Sequence, residues 1–296
     1  MSIRWGVSPI AWANDDMPEL GGDTPLETIL RDISELGFDG VELGGKFPRD
    51  PETLAPLLRR HGLALVGGWY SGSLLARDAD AEIAALQPHL RLLEAMDSRV
   101  FVFAETSNAV HGATGTAMTA TPRLAAADWA RFGTRMTAVA DHVAARGLAF
   151  AYHHHLGTVV ETAADLDAFL AHTGASVGLT LDTGHATLGG IDPLAVIAAH
   201  PRRIVHVHCK DVRGTRHREA RAAGRSFLDG VLAGMFTVPG DGDIDFGAVM
   251  QALKAIDYAG WVIIEAEQDP ALADPRTYAE LGLRTLKHAA AAAGLR

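Results

Sequence analysis

The stretch 148-LAFAYHHH-155 runs from an apolar segment into three consecutive histidines. Large and small side chains alternate along it, which is the two-residue period of a strand with two different faces. With Leu148, Phe150 and Tyr152 turned outward toward covering helices, His153 and His155 point inward and His154 does not. The same grammar recurs elsewhere. In 179-LTLD-182 the leucines suit the outer side, leaving Thr180 and Asp182 inward. In 204-IVHVHCK-210 the inward set is His206, His208 and Lys210, and in 261-WVIIEAE-267 it is Trp261, Ile263, Glu265 and Glu267.

Four more runs complete the series of strands: 3-IRWGVS-8, 40-GVEL-43, 63-LALVGGW-69 and 99-RVFVFAE-105. Amphipathic helical patterns separate them. In 24-TPLETILRDISELG-37, Thr24 is placed to cap and Pro25 to take the first helical position. The stretch 125–147 carries Trp129, Phe132, Met136, Val139 and Val143 at helical spacing, and Gly37, Gly62 and Gly147 sit where helices stop. Strand and helix alternating through eight beats predict an α/β fold, a (β/α)8 TIM barrel of one domain over residues 1–296. An open doubly wound sheet is disfavoured, because no G-x-G-x-x-G opens the first helix. Two long segments, 106–127 and 210–244, follow the fourth and seventh strands, where covers of an active site belong.

The chain has 296 residues, 48% of them hydrophobic, enough for a large core, and a formal net charge of -10. That charge opposes nucleic acid or anionic membrane as partners and suits a small neutral molecule. The basic cluster 213–225 reads as a solvated loop or helix. No apolar run is long enough to span a bilayer, and the first residues lack a secretory pattern. The single cysteine, Cys209, has outward parity and fits packing in a reducing compartment, so a cytoplasmic location is expected. A homo-oligomer is compatible with all of this.

A barrel carries its active site at the C-terminal ends of its strands. Strands five to eight end in His153, Asp182, His208 and Glu265, two imidazoles and two carboxylates that suit Mn2+, Co2+ or Zn2+ better than Ca2+. Near the same mouth lie Asn14, Asp15 and Asp16 after strand one, and Glu42 and Lys46 after strand two. Trp69 with Ser71, Glu105, His185, Lys210 and Asp211 follow at later strands. Asp15 and Asp16 read most simply as loop residues, whereas an inward carboxylate such as Glu42 requires a partner.

The order Asp182 in LDTGH, His208 in HVHCKD and Glu265 in WVIIEAE resembles the xylose isomerase-like barrels of sugar isomerases, epimerases and type-IV endonucleases. Their shared metal set, Glu, Asp, His and Glu on strands five to eight, finds His153 in place of the first Glu here, with His155 as the alternative. A closer resemblance extends along nearly the whole chain. The stretches 8-SPIAWANDDMPELGGDTPLETIL-30, 37-GFDGVELGGKFPRDP-51, 153-HHHLGTVVET-162, 181-LDTGHATLGGIDP-193, 206-HVHCKDV-212 and 261-WVIIEAEQDP-270 are similar to the inosose dehydratase family of inositol catabolism.

That resemblance implies a lyase that removes water from 2-keto-myo-inositol to give a trihydroxycyclohexane-dione, with Mn2+ or Co2+ as cofactor. For such a reaction the metal falls to His153, Asp182, His208 and Glu265. Proton transfer falls to His155 and Glu267, and oxyanion stabilisation or hydroxyl binding to Lys46. Asn14, Asp15, Glu42 and Trp69 are expected around the cyclitol, together with Lys210 and His185. His185 and Asp211 are also placed to orient ligands. A cyclitol or ketose isomerase or epimerase on the same barrel is the nearest rival, and a non-catalytic sugar-binding protein is a rival of another class.

Overall fold

The computed structural model describes residues 2–295. Eight parallel strands close into a barrel: β1 (Ile3–Val7), β2 (Gly40–Leu43), β3 (Ala64–Gly72), β4 (Val100–Glu105), β5 (Ala149–His153), β6 (Val177–Asp182), β7 (Ile204–Cys209) and β10 (Gly260–Ile264). The remaining two, β8 (Asp211–Val212) and β9 (Phe236–Thr237), form a small antiparallel ribbon above the mouth. Helices α1 (Leu26–Glu35), α2 (Pro51–Arg60), α3 (Ala79–Ala95), α4 (Trp129–Ala145) and α5 (Ala163–His172) serve the first five crossovers. Then come α6 (Thr183–Leu188), α7 (Pro193–Ala199), α8 (Gly214–Ala222), α9 (Phe227–Leu232), α10 (Phe246–Ala255) and α11 (Pro275–Ala293). The closed barrel rules out the open sheet, and the basic cluster becomes α8.

Between strands and helices lies a continuous apolar shell that holds Phe150, Tyr152, Leu179, Leu181, Val207 and Cys209, as outward parity requires. Met136, Val139 and Val143 of α4 enter the same shell. Burial of each such side chain contributes about 1.5–3 kcal/mol, so the alternation itself selects which face turns outward. Inside the barrel a smaller plug of Val66, Val100, Val102, Ala151, Trp261 and Ile263 fills the lower layers. Gly40 is small for that reason: a Cβ there would stand 2.7 Å from the Trp261 ring and 2.8 Å from the Ala64 carbonyl oxygen.

Two register shifts matter for the site. Between β2 and β3, Val41 pairs Leu65 but Leu43 pairs Gly68, so β3 carries one extra residue. The bulge reverses the parity of β3, and Trp69, three residues after inward Val66, turns inward as well. A second shift at Ile204–His206 leaves Val205 against the plug and restores His206 and His208 to the interior.

One detail of the sequence reading is corrected. Pro25 is the extended N-cap of α1 (ψ 141°), not its first helical residue, and Thr24 makes no capping bond. The Pro25 carbonyl accepts from the N–H groups of Thr28 and Ile29 instead. Gly37, Gly62 and Gly147 do close their helices, with φ of 80°, 66° and 83°.

Candidate active site

Strand ends β5, β6 and β7 bring three side chains onto one point. His153 Nε2 and His208 Nδ1 each stand 3.7 Å from Asp182 Oδ2, and Glu265 Oε2 is 3.0 Å from His208 Nδ1. Asp182 caps α6 by accepting the His185 N–H at Oδ1 (2.8 Å), while its Oδ2 is fully buried without a hydrogen bond. Each imidazole has its other nitrogen engaged. His153 Nδ1 donates to the His154 carbonyl (2.8 Å), and His208 Nε2 donates to Glu42 Oε1 (3.0 Å). These bonds engage the far nitrogen of each ring and turn His153 Nε2 and His208 Nδ1 toward an orphaned carboxylate oxygen. A mixed set of imidazole and carboxylate donors, oriented from behind and left unsatisfied in front, fits a divalent cation.

Glu42, expected at the substrate, is largely an orienting group. Its Oε1 accepts from His206 Nε2 (2.9 Å) as well as from His208, so β2 fastens two rings of β7. Burial raises the Glu42 carboxyl, but the charge of His208 and the two hydrogen bonds overcome this and hold it down to about 2. Burial depresses His208, yet Glu42 and Glu265 together raise it well above the ordinary histidine value when no cation competes.

Lys210 and His185 are corrected. Neither reaches the cavity wall, since both lie beneath it, fully buried. Lys210 Nζ donates to Glu267 Oε1 (2.6 Å), lies 2.7 Å from Glu265 Oε1, and is 2.9 Å from His185 Nε2. Burial opposes its charge, but Glu265, Glu267 and Asp182 outweigh that and raise its pKa. His185 Nδ1 accepts from the Leu156 N–H (3.3 Å), and its ring packs 3.7 Å from that of His155. The pair props up the wall instead of touching what it encloses. Asp211 is corrected too: it anchors the cover by accepting from the N–H groups of Val212, Gly240 and Ile244.

Above these groups opens a cavity of about 570 Å3. Asn14, Asp15, Glu42, Lys46, Trp69, His153, His155, His208, Glu265 and Glu267 line it, as expected from the sequence. His155 Nδ1 donates to the Leu156 carbonyl (2.7 Å), and burial with the neighbouring His185 holds the ring far below the ordinary histidine value. With Nδ1 engaged by Leu156, Nε2 is the ring nitrogen left toward the cavity. Burial and Glu265 raise Glu267 against the pull of Lys210. Trp69 stands edge-on to His153 and His155 (ring centroids 5.3 and 5.6 Å), with its Nε1 donating to Ser71 Oγ (2.8 Å). Lys46 Nζ donates to the Gly22 carbonyl (2.5 Å), tethering the rim.

The charged and imidazole wall residues Arg49 and His111 carry no strand parity because both lie on loops, and Asp16, read from the sequence as a loop residue near the mouth, also lines the cavity. His111 sits on the long segment after β4, which is pinned by Val110 N–H donating to the Gly157 carbonyl (2.8 Å) and Met118 N–H to that of Arg225 (2.9 Å). Thr121 Oγ1 further donates to Glu161 Oε2 (2.6 Å) on the loop after β5, and the Met118–Arg225 bond joins the two long segments into one roof.

Comparison with known proteins agrees with this architecture. The family described as "Xylose isomerase-like TIM barrel" matches residues 30–289. The rhizopine catabolism protein MocC of Rhizobium meliloti is 47% identical over 296 residues, 100% of this chain and 91% of that protein. An inosose dehydratase of Lacticaseibacillus casei is 40% identical over 281 residues, 94% of each. A D-psicose 3-epimerase from Clostridium cellulolyticum H10, solved with D-tagatose, shares the fold with a TM-score of 0.71 at 18% identity, covering 97% of this chain and 99% of that one.

Proposed function

The chain belongs to the xylose isomerase-like TIM-barrel family, in the branch that holds the inosose dehydratases, and we propose that it takes water from 2-keto-myo-inositol to give a trihydroxycyclohexane-1,2-dione. It is a hydro-lyase of inositol catabolism. The observation that carries this is 40% identity with an inosose dehydratase along 94% of both chains. The site supplies what the reaction needs. We assign a divalent ion, Mn2+ or Co2+, to His153 Nε2, Asp182, His208 Nδ1 and Glu265. When bound there it supplies Lewis acidity toward a keto oxygen and a neighbouring hydroxyl.

The remaining roles fall to the chain's own residues. His155 Nε2, on a ring whose tautomer is fixed by Leu156, takes the α-hydrogen as a proton. The C–H electron pair becomes the carbon–carbon double bond of an enol. The β-carbon's C–O bond breaks, and its oxygen leaves with a proton as water. The enol then tautomerises to the second ketone. Lys46 at the rim and the Asn14 amide, whose Nδ2 is buried without a partner, suit ring hydroxyls, while Asp15 helps shape that rim. Trp69 offers an apolar wall to the ring's C–H face. A cytoplasmic setting suits such metabolism, and among the described residues no helix is long and apolar enough to cross a membrane.

NMR of 2-keto-myo-inositol in D2O with purified protein, with and without Mn2+, tests this directly. Metal-dependent formation of the dione is expected. Deuterium exchange or an isomerised ketose without water loss would transfer the function to the isomerases and epimerases.

A further inference from the structure

The dehydration needs a proton donor for the departing hydroxyl, and most acidic groups of the cavity wall are already committed. Glu42 is held by two imidazoles, Glu265 by Lys210 and His208, and Glu267 by Lys210. Asp15 turns both carboxylate oxygens to the Gly45 N–H (3.0 and 2.9 Å). Asp16 is the exception: it lines the same cavity from an exposed position on the rim, and among the described residues its carboxylate is committed to no hydrogen bond or ion pair. Its backbone is nonetheless held firmly. Asn14 Oδ1 accepts from the N–H groups of Asp16 (2.8 Å) and Met17 (2.9 Å), and the Asn14 N–H donates to the Leu20 carbonyl (3.0 Å). Gly21 (φ 71°) closes the same loop where a Cβ would stand only 1.9 Å from the Trp12 carbonyl oxygen.

Resting on the dehydratase reading, we propose that Asp16 is the general acid, giving its proton to the hydroxyl that leaves as water. The barrel sets the geometry. In the strand order β1-β10-β7-β6-β5-β4-β3-β2, β5 is as far from β1 as the ring allows; the loop after β1 carries Asp16, the end of β5 leads into His155, and both residues line the one cavity. A base and an acid lining one cavity act on the two ends of one H–C–C–O unit. The C–H proton goes to His155 and its electron pair into the enolate of the ketone, and that pair then returns to form the new Cα–Cβ double bond as the C–O bond breaks. The C–O pair leaves with oxygen, which collects the Asp16 proton, and the resulting carboxylate regains a proton from solvent. Desolvation, then repulsion from Glu267 and Asp15, raises the Asp16 carboxyl from its ordinary value against the pull of Lys210. Part of the carboxylate is open to solvent, which moderates that shift and leaves a route for reprotonation.

The test separates the two halves of the reaction in the metal-loaded enzyme. Wild type, Asp16→Asn, Asp16→Glu and Glu267→Gln are incubated with 2-keto-myo-inositol in D2O, and dione formation and α-hydrogen exchange are followed together by NMR. In Asp16→Asn, water loss is expected to fall about 100-fold or more while α-exchange continues, and Asp16→Glu should recover part of the rate. Near-normal water loss in Asp16→Asn overturns the proposal. So does loss of both activities with a raised KM, which marks a binding role, or a split seen only in Glu267→Gln. A wild type that neither exchanges nor dehydrates this substrate defeats the dehydratase reading itself, and the proposal falls with it.

Discussion

At the scale of single residues, the site is defined by which atom of each side chain is already engaged. Asp182 has one oxygen on a helix N-terminus and the other unsatisfied, so Asp182→Asn should abolish divalent metal binding, measured by calorimetry with Mn2+. Glu42 holds the His208 ring from behind by accepting from its Nε2. Glu42→Gln should weaken metal affinity by about 10–100-fold, as outer-shell changes do, and leave the fold intact in circular dichroism. Lys210 compensates three buried carboxylates. Lys210→Met should destabilise the chain by about 3–5 kcal/mol in urea unfolding, with part regained on adding Mn2+. Parity alone made His153, Asp182, His208 and Glu265 legible, because strand alternation is local. The roles of Glu42, Lys210 and His185 were not, because a hydrogen bond across 166 positions, as from His208 to Glu42, has no local signature.

At the scale of elements, strands and helices were largely readable, and their irregularities were not. The bulge in β3 turns Trp69 into the mouth, and nothing in 63-LALVGGW-69 marks the extra residue until Gly67 meets the next strand, where a Cβ would stand 2.8 Å from the Val100 carbonyl oxygen. β10 ends at Ile264, so Glu265 and Glu267 project from the start of a loop while keeping strand-like spacing. Gly40 tests the packing beneath the site. Gly40→Ala forces a methyl group against Trp261 and should cost about 1–3 kcal/mol, read as a lower thermal midpoint with metal affinity little changed.

At the scale of the whole molecule, buried histidines outside the metal set link folding to pH. Burial, then repulsion from His153, lowers His154 to about 3, and burial chiefly lowers His89 to about 4. Both folded values lie below the unfolded value near 6.5, so the unfolded chain binds more protons as pH falls. Their contribution is complete above about pH 6.5 and is lost progressively toward pH 4 and 3. The thermal midpoint should therefore drop between pH 7 and pH 5, by up to about 2 kcal/mol of stability for His154. His89→Gln should make that drop shallower. From its residues alone the chain determines an alternating barrel and four inward polar side chains at strand ends, since periodicity and strand-end polarity are properties of neighbouring residues. Tertiary structure decides which carboxylates are spent on cations, that Lys210 and His185 lie below the wall, and that Asp16 and His155 line one cavity. Those facts depend on closing the ring of strands, which alone fixes the distances between residues far apart in the chain.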